Sequence, residues 1–457
     1  MRTEQDSLGK LDVPDDALYG IHTARSIANF STAGEPLPLE LICAIVKLKQ
    51  ACTAANAELG LLDPKKAVAI AGACGDVLSG KVDDQFPIDV YQAGSGTSSN
   101  MNVNEVLANL AGKELGGKPG DRTVHPNDDV NKGQSTNNVF PSAIRVAAVE
   151  LSGGLFQALE NLFQALEKKA DEFSKVWKTG RTHLQDAVPI TLGQEFGAWA
   201  EALRKAETRI AFACMNLQEL GIGGNAVGTG VNTPAAFREK IIAALNQATG
   251  QEYSVAENGI ESTQFLTDMA AFSGALKMLA IDLNKIANDL RLLSSGPNAG
   301  LGEINLPAVE PGSSIMPGKI NPSICEAANM ACLQVVGNDA AVSAACAAGQ
   351  LELNTHMPLV GVNLIKSLKI LTKVCAALDE KCVSGITTNE AVCQNYFERS
   401  AGLPTILNPV LGYEQVAELV KESLATGKTL AELVREKKLM PEKEFEELLA
   451  RSNGPTL

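Results

Sequence analysis

The sequence has few aromatic residues, few histidines and no paired cysteines, and each shortage excludes a class of protein. Phe, Trp and Tyr make up only 4% of 457 residues, so an alanine-rich chain of this length favours close helix–helix packing over a β-sandwich. The four histidines lie too far apart to predict a metal site. None of the ten cysteines forms a Cys-x-x-Cys pair or has a zinc-ligand spacing to histidine, so we expect free, mostly buried thiols.

Positive charge, long apolar runs and targeting signals are also scarce. With 39 basic and 53 acidic residues the formal charge is −14, which argues against a nucleic-acid partner because phosphate binding needs a basic face. No apolar run reaches the roughly 18 residues of a membrane span. The N-terminal residues Met1–Asp6 contain no apolar signal-peptide core. We therefore expect a soluble, cytoplasmic protein without a membrane partner.

Long amphipathic helices dominate the middle of the chain. Apolar residues from Phe265 to Leu293 alternate in steps of four and three, which predicts one helix about 40 Å long with a heptad-like seam. Four more long helices are predicted at about 139–176, 192–220, 322–349 and 360–383. Five such helices predict an all-α fold built around a long central helical bundle.

The ends of the chain have a different pattern. Residues 1–40 contain turn formers and short segments, which predict irregular structure or a short hairpin. Near the C-terminus, Thr429 and Glu432 form a plausible capping box, and Pro441 suits the first turn of a last helix. We predict three domains: 1–135 with polar loops, 136–395 with the bundle, and 396–457 as a small helical domain.

Five polar segments interrupt the helical pattern. They offer hydroxyl, amide and backbone N–H groups, which are the donors that a small carboxylate ligand needs. The segments are Gly94–Asn100, His125–Asp129, Gln134–Asn138, Gly180–Asp186 and Gly312–Pro322. Standard nucleotide and hydrolase motifs do not account for them. A P-loop has four residues between its glycines, whereas Gly312 and Gly318 have five, and no Gly-x-Ser-x-Gly sequence occurs.

The segment Gly312–Pro322 combines groups that suit a reacting anion. Ser313 supplies a hydroxyl, Lys319 a positive charge, and Asn321 an amide just before Pro322, which can open a helix. A mobile loop with these groups beside a helix N-terminus can bind an anion that gains charge as it reacts. The alternative is an ordinary polar loop with a solvated lysine.

The run Gly312-Ser313-Ser314-x-Met316-Pro317-x-Lys319-x-Asn321-Pro322 resembles the signature of the fumarase/aspartase superfamily. The resemblance extends over nearly the whole chain. It implies a helical homotetramer with a twenty-helix bundle and with active sites that are each shared by three subunits. Members of this superfamily eliminate a group β to a carboxylate and release fumarate through an aci-carboxylate dianion, so the implied ligand is a small dicarboxylate.

The resemblance also implies roles for individual residues. Ser313 would remove the C3 proton, and His183, oriented by Glu326, is the rival base, directly or through water, because a free serine is a poor base near neutral pH. Residues implied around the substrate are Ser95, Thr97, Ser98, Ser135, Thr136, Asn137, Thr182, Lys319 and Asn321. A second dicarboxylate site is implied at Arg122, His125, Asn127 and Asp128. No metal or organic cofactor is needed for this mechanism, and a separate divalent activator is left open.

The leaving group is the open question at this stage. Segments Tyr19–Thr23, Asp84–Gln92 and Asn288–Pro297 are more similar to aspartases. Fumarases usually have Gln in place of Ser98 and Ser in place of Thr136. The segments that resemble fumarases more are His125–Asp129 and Gly318–Ala327, and positions that depart from both are Asn138, Asn298 and Asn354–Pro358. We expect an aspartate ammonia-lyase; the alternatives are a class II fumarate hydratase, a lyase for a related amino or hydroxy dicarboxylate, and a non-enzymatic relative.

Overall fold

The computed structural model describes residues 1–400 and 402–451, and most of them are helical, as the sequence predicted. The helices are α1 (Ile21–Asn29), α2 (Leu39–Glu58), α3 (Pro64–Leu78), α4 (Thr97–Glu114), α5 (Thr136–Glu172), α6 (Leu192–Asn216), α7 (Phe237–Thr249), α8 (Gly259–Gln264), α9 (Thr267–Leu293), α10 (Ser323–Cys346), α11 (Met357–Lys381), α12 (Glu390–Arg399), α13 (Leu403–Leu411), α14 (Tyr413–Thr426), α15 (Leu430–Glu436) and α16 (Glu442–Arg451).

Short strands pair two by two in the described residues. They are β1 (Arg2–Asp6), β2 (Gly9–Val13), β3 (Trp177–Thr182), β4 (Gln185–Thr191), β5 (Glu219–Leu220), β6 (Ser254–Val255), β7 (Ile304–Asn305) and β8 (Thr387–Thr388). The pairs β1–β2, β3–β4 and β7–β8 are antiparallel, and β5–β6 is parallel. The sequence predicted a possible hairpin only for the first pair. It placed Gly180–Asp186 in a loop between helices, whereas this segment lies in the hairpin β3–β4.

All five predicted long helices are present, as α5, α6, α9, α10 and α11. In α9 the apolar seam is buried as predicted, at Met269, Phe272, Leu276, Leu279, Leu283, Ile286, Leu290 and Leu293. The prediction that this seam begins at Phe265 is wrong. Phe265 follows α8, lies before α9 begins, and is 53% exposed, because the chain is extended at that residue.

The chain forms two compact units, each assembled from separate segments. The first contains Met1–Phe156, Thr208–Ala280 and Leu333–Thr372. The second contains Gln157–Glu207, Ile281–Cys332 and the described residues from Lys373 onward. The division into 1–135, 136–395 and 396–457 stays a prediction.

Helix α1 was not expected from the sequence, and a distant side chain explains it. The buried carboxylate of Glu105 on α4 accepts hydrogen bonds from the backbone N–H groups of Gly20, His22 and Thr23 at distances of 2.9, 2.9 and 3.1 Å. These N–H groups belong to the first turn of α1, where a helix has no partners of its own. A negative charge at this end also suits the helix dipole.

At the C-terminal end the predicted capping box of α15 is confirmed. The Thr429 hydroxyl accepts from the Glu432 N–H at 3.1 Å, and the Glu432 carboxylate accepts from the Thr429 N–H at 2.7 Å. Pro441 directly precedes α16, one position before the predicted first turn. Buried apolar residues from α12 to α16 form one cluster, which includes Phe397, Leu407, Leu419, Val434 and Phe445.

One described helix, α5, is long and apolar enough to cross a membrane by composition alone. About 72% of its most apolar window is buried inside the protein, which is typical of a core helix. The ten cysteines are free thiols, as predicted, and eight of them are buried.

Candidate active site

In the first unit, the N-terminus of α4 presents three of the predicted site residues. Ser95 has a φ of 60° and its hydroxyl lies 3.4 Å from that of Thr97, the first residue of α4. Gly96 has a φ of 84°, and a Cβ there would lie 2.2 Å from the ring of Phe140. Glycine is therefore required for α4 to start this close to α5. Ser98 is fully buried, and its hydroxyl has no partner among the described residues.

The N-terminus of α5 lies beside that of α4 and presents the next three residues. The Thr136 hydroxyl accepts a hydrogen bond from Asn100 Nδ2 at 2.9 Å, which joins the two helix starts. The Ser135 hydroxyl accepts from the Asn137 N–H at 3.2 Å, and Asn137 Nδ2 donates to the Ala226 carbonyl at 2.8 Å. Two helix N-termini with hydroxyl and amide groups form a site suited to a carboxylate.

Asn138, one of the positions that depart from the resemblance, follows Asn137 on α5 and is almost completely buried. Its Nδ2 donates to the Thr263 hydroxyl at 2.8 Å, while its Oδ1 has no partner in the described part of the chain. The amide therefore contacts α8 in this structure.

In the second unit, the signature loop Gly312–Pro322 closes on itself. The Gly312 N–H donates to the Lys319 carbonyl at 2.9 Å, and Asn321 Nδ2 donates to the Gly312 carbonyl at 2.7 Å. The Ser313 hydroxyl oxygen accepts from the N–H groups of Ile315 and Met316 at 3.2 and 3.1 Å. Lys319 is exposed, and within the described residues no carboxylate pairs with it.

A cavity of about 900 Å³ adjoins this loop in the second unit. Lys319 and Asn321 line it on one side, and Asn288 and Arg291 of α9 line it on the other. Arg291 also lies 4.0 Å from Glu326, the residue predicted to orient His183. Between His183 and Glu326 themselves, the described residues show no hydrogen bond or ion pair.

Thr182 and His183 lie at the exposed tip of the hairpin β3–β4. His183 and Leu184 form a two-residue turn, and each has a φ of 57°, a conformation that costs energy for residues other than glycine. Behind the tip, the fully buried Glu303 pairs with Arg181 at 2.8 Å and with Lys178 at 3.0 Å. This buried ion network holds the strand that carries Thr182 and His183.

Three of the four residues predicted for a second dicarboxylate site share one tight turn in the first unit. His125 Nδ1 accepts from the N–H groups of Asn127 and Asp128 at 3.3 and 3.1 Å. Arg122 is engaged elsewhere, since its Nη2 donates to the Gln5 carbonyl at 2.8 Å. No group of three or more His, Cys, Asp or Glu side chains suited to a metal ion occurs among the residues described.

Sequence reasoning missed the residues that support the Ser135–Asn137 turn. These are Asn131 and Lys49, together with Asn100, which stood in a predicted polar segment but had no assigned role; the three are joined by hydrogen bonds. For Lys49, the sequence pattern could have shown that the side chain is unusual. It stands in α2 at helical spacing from the buried Ile42, Ile45, Cys52 and Asn56, a position at which an apolar residue is expected.

Comparison with known proteins identifies the family. A family model described as "Lyase" matches residues 9–337, and a second, "Fumarase C C-terminus", matches residues 403–453. The chain belongs to the fumarase/aspartase superfamily. It is therefore a lyase, as the signature loop predicted.

Individual members of the superfamily are similar along their whole length. A class II fumarate hydratase from Chromobacterium violaceum is 48% identical, and the match covers 94% of each chain. An aspartate ammonia-lyase from Helicobacter pylori is 43% identical over 99% of this chain and 97% of the relative. A crystal structure described as fumarate lyase:delta crystallin from Brucella melitensis, bound to cobalt, is 46% identical, covers 100% of both chains and has a TM-score of 0.95.

Proposed function

We propose that this lyase removes the group β to a carboxylate of a four-carbon dicarboxylate and releases fumarate. The observation that carries the proposal is the geometry of Ser313, whose hydroxyl oxygen accepts two backbone N–H groups. A serine can act as a base only if its alkoxide is stabilised, and N–H donors aimed at the oxygen favour the charged form. Ser313 then removes the C3 proton, and His183 is the rival base.

The charge that develops on the substrate requires a positive and polar environment. Lys319 has no carboxylate partner in the described residues, and Asn321 lies on the same loop. We propose that both bind the carboxylate that becomes doubly negative, as the superfamily resemblance implies. The residues around the rest of the substrate would be Thr182 and those at the starts of α4 and α5. These groups belong to separate units of the chain, and the proposed homotetramer would complete each site with residues of three subunits.

For the leaving group we propose ammonia, so that the reaction is the reversible conversion of L-aspartate to fumarate. Ser98 and Thr136 support this, because they lie at the starts of α4 and α5 and differ from the residues usual in fumarases. Water is the second candidate, with malate as substrate. It is supported by the 48% identity with a fumarate hydratase, against 43% with an aspartate ammonia-lyase. We propose a cytoplasmic location for either activity.

One assay distinguishes the candidates. The purified protein is incubated with L-aspartate and, separately, with L-malate, and fumarate and ammonia are both measured. Fumarate with equimolar ammonia supports the first candidate, and fumarate from malate alone supports the second. Activity with neither substrate, in a protein that is folded and tetrameric, would contradict both and favour a non-enzymatic role.

A further inference from the structure

Lys49 is a buried lysine that the proposed chemistry does not use. It lies in the middle of α2, in the first unit, with 0% of its surface exposed. Its Nζ donates to Asn131 Oδ1 at 2.7 Å, and in the described part of the chain no carboxylate pairs with it. An ammonium group buried without a counter-ion opposes folding. Stability of the folded chain therefore does not explain why a lysine stands among the buried residues of α2.

Asn131 connects Lys49 to the proposed substrate site. Its Oδ1, which Lys49 holds, also lies 3.5 Å from Asn100 Nδ2. Its Nδ2 donates to the Gln134 carbonyl at 3.2 Å, directly before Ser135. Asn100 in turn donates to the Thr136 hydroxyl at 2.9 Å. Lys49 thus orients the side-chain amide of Asn131. That amide holds the backbone at Gln134 and, through Asn100, the side chain of Thr136. Both lie at the start of α5, in or beside the turn Ser135–Asn137.

Several polar atoms beside this chain of hydrogen bonds have no partner. Ser98 Oγ, Asn100 Oδ1 and Gln134 Oε1 are all buried and unpartnered in the described residues. Buried polar atoms are normally paired, and unpaired ones indicate a site that a ligand or water completes. Asn100 and Gln134 belong to the same chain of hydrogen bonds as Lys49, and Ser98 lies two residues before Asn100 on α4.

We propose that Lys49, acting through Asn131, is a positioning residue for the carboxylate-binding turn Ser135–Asn137. The inference rests on the proposed function, because it assigns that turn to the substrate. Lys49 does not touch the reacting atoms. It sets the geometry of groups that bind the dicarboxylate equally before and during the reaction, so its loss should weaken substrate binding more than it slows the chemical step.

Lys47 offers a matched control on the same helix. It lies two residues away and forms an ordinary half-buried ion pair with Glu150 at 2.6 Å. The full-length variants Lys49→Met and Lys47→Met each replace an ammonium by an unbranched apolar side chain. Only the first removes the donor to Asn131.

Two measurements test the proposal. In hydrogen exchange with mass spectrometry, Lys49→Met should exchange about tenfold faster than wild type in peptides covering Gln134–Asn137, while Lys47→Met should match wild type. With the substrate that the wild type converts, Lys49→Met should raise KM at least about tenfold and change kcat by less than about threefold. A merely structural lysine would lower the amount of active protein without changing KM.

The second variant Asn131→Asp covers the case in which Lys49→Met does not fold. It keeps an acceptor for Lys49 but loses the donor to Gln134, so it should show the same faster exchange and the same rise in KM. Unchanged exchange at Gln134–Asn137 in Lys49→Met, or in Asn131→Asp if the first variant is unfolded, would overturn the proposal. Hydrogen exchange measures the opening of the turn Ser135–Asn137 whether or not the protein converts aspartate or malate. Wild-type inactivity would therefore refute the proposed function, while the exchange experiment still decides the role of Lys49.

Discussion

The stability difference between the Lys49→Met variant and wild type should depend on pH in a way that reveals the buried charge. Burial lowers the pKa of Lys49 from 10.5 to about 7. The difference, 10.5 − 7, corresponds to about 5 kcal/mol of unfavourable free energy for the charged form, at about 1.4 kcal/mol per pH unit. Removal of the lysine leaves Asn131 without its strongest donor, which costs about 1–3 kcal/mol. We expect the variant to be more stable than wild type by roughly 2–4 kcal/mol at pH 6.

The sign of the pH dependence follows from which state binds the proton. Below pH 7 the lysine is charged in both the folded and the unfolded chain, so the full penalty is present. Between pH 7 and 10.5 the unfolded chain keeps the proton and the folded chain loses it, so the stability of the wild type rises with pH. The advantage of the methionine variant should therefore shrink by about 1.4 kcal/mol per pH unit above pH 7.

Urea unfolding followed by far-UV circular dichroism, at equal protein concentration and at pH 6, 7, 8 and 9, measures this difference. Lys47→Met serves as the control, because its parent lysine is paired with Glu150 and only half-buried. A stability difference between Lys49→Met and wild type that stays constant from pH 6 to 9 would refute the reasoning. So would a variant that is less stable than wild type at pH 6.

Three further predictions concern the site and its supports. Ser313→Ala should lower kcat at least about 100-fold in the fumarate assay if the serine is the base, whereas near-normal turnover would point to His183. Gly96→Ala should destabilise the protein by about 2 kcal/mol or more in thermal unfolding, because its Cβ would meet Phe140 at 2.2 Å in a left-handed conformation. As its control, Gly75→Ala in α3 has nothing within 4 Å and should be neutral or stabilising. Glu303→Gln should cost about 3 kcal/mol, since the partly buried Arg181 would lose its charge partner, whereas Lys178 keeps its ion pair with Glu195 at 2.7 Å. Glu201→Gln, in an exposed pair with Arg204, should change stability by less than about 1 kcal/mol, and equal effects of the two substitutions would contradict the assigned role of burial.

Much of the fold was predictable because it depends on local patterns. The seam of α9 has apolar residues at steps of four and three, and a helix places all of them on one face whatever surrounds it. The capping box of α15 needs only Thr429 and Glu432, three residues apart. Features that depend on distant groups were missed. Helix α1 starts where Glu105, more than eighty residues further along the chain, accepts its free N–H groups.

The same distinction between local and distant interactions explains which parts of the candidate site were predicted. The signature loop was found from the sequence because Ser313, Lys319 and Asn321 lie in one short segment, and in the structure its hydrogen bonds are internal. The support of the Ser135–Asn137 turn was not found, because Asn100, Asn131 and Lys49 come from separate segments. The hairpin that presents His183 was also missed, since its register depends on pairing between β3 and β4.

By itself, the sequence determined the family and the lyase class, through the resemblance carried by its signature loop, and the long helices, through the short-range spacing of apolar residues. Only the tertiary structure decided which polar groups lie behind the site. Burial of Lys49 and the pairing of Glu303 are properties of the packed chain, because the cost of a charge depends on how much water and which partners surround it.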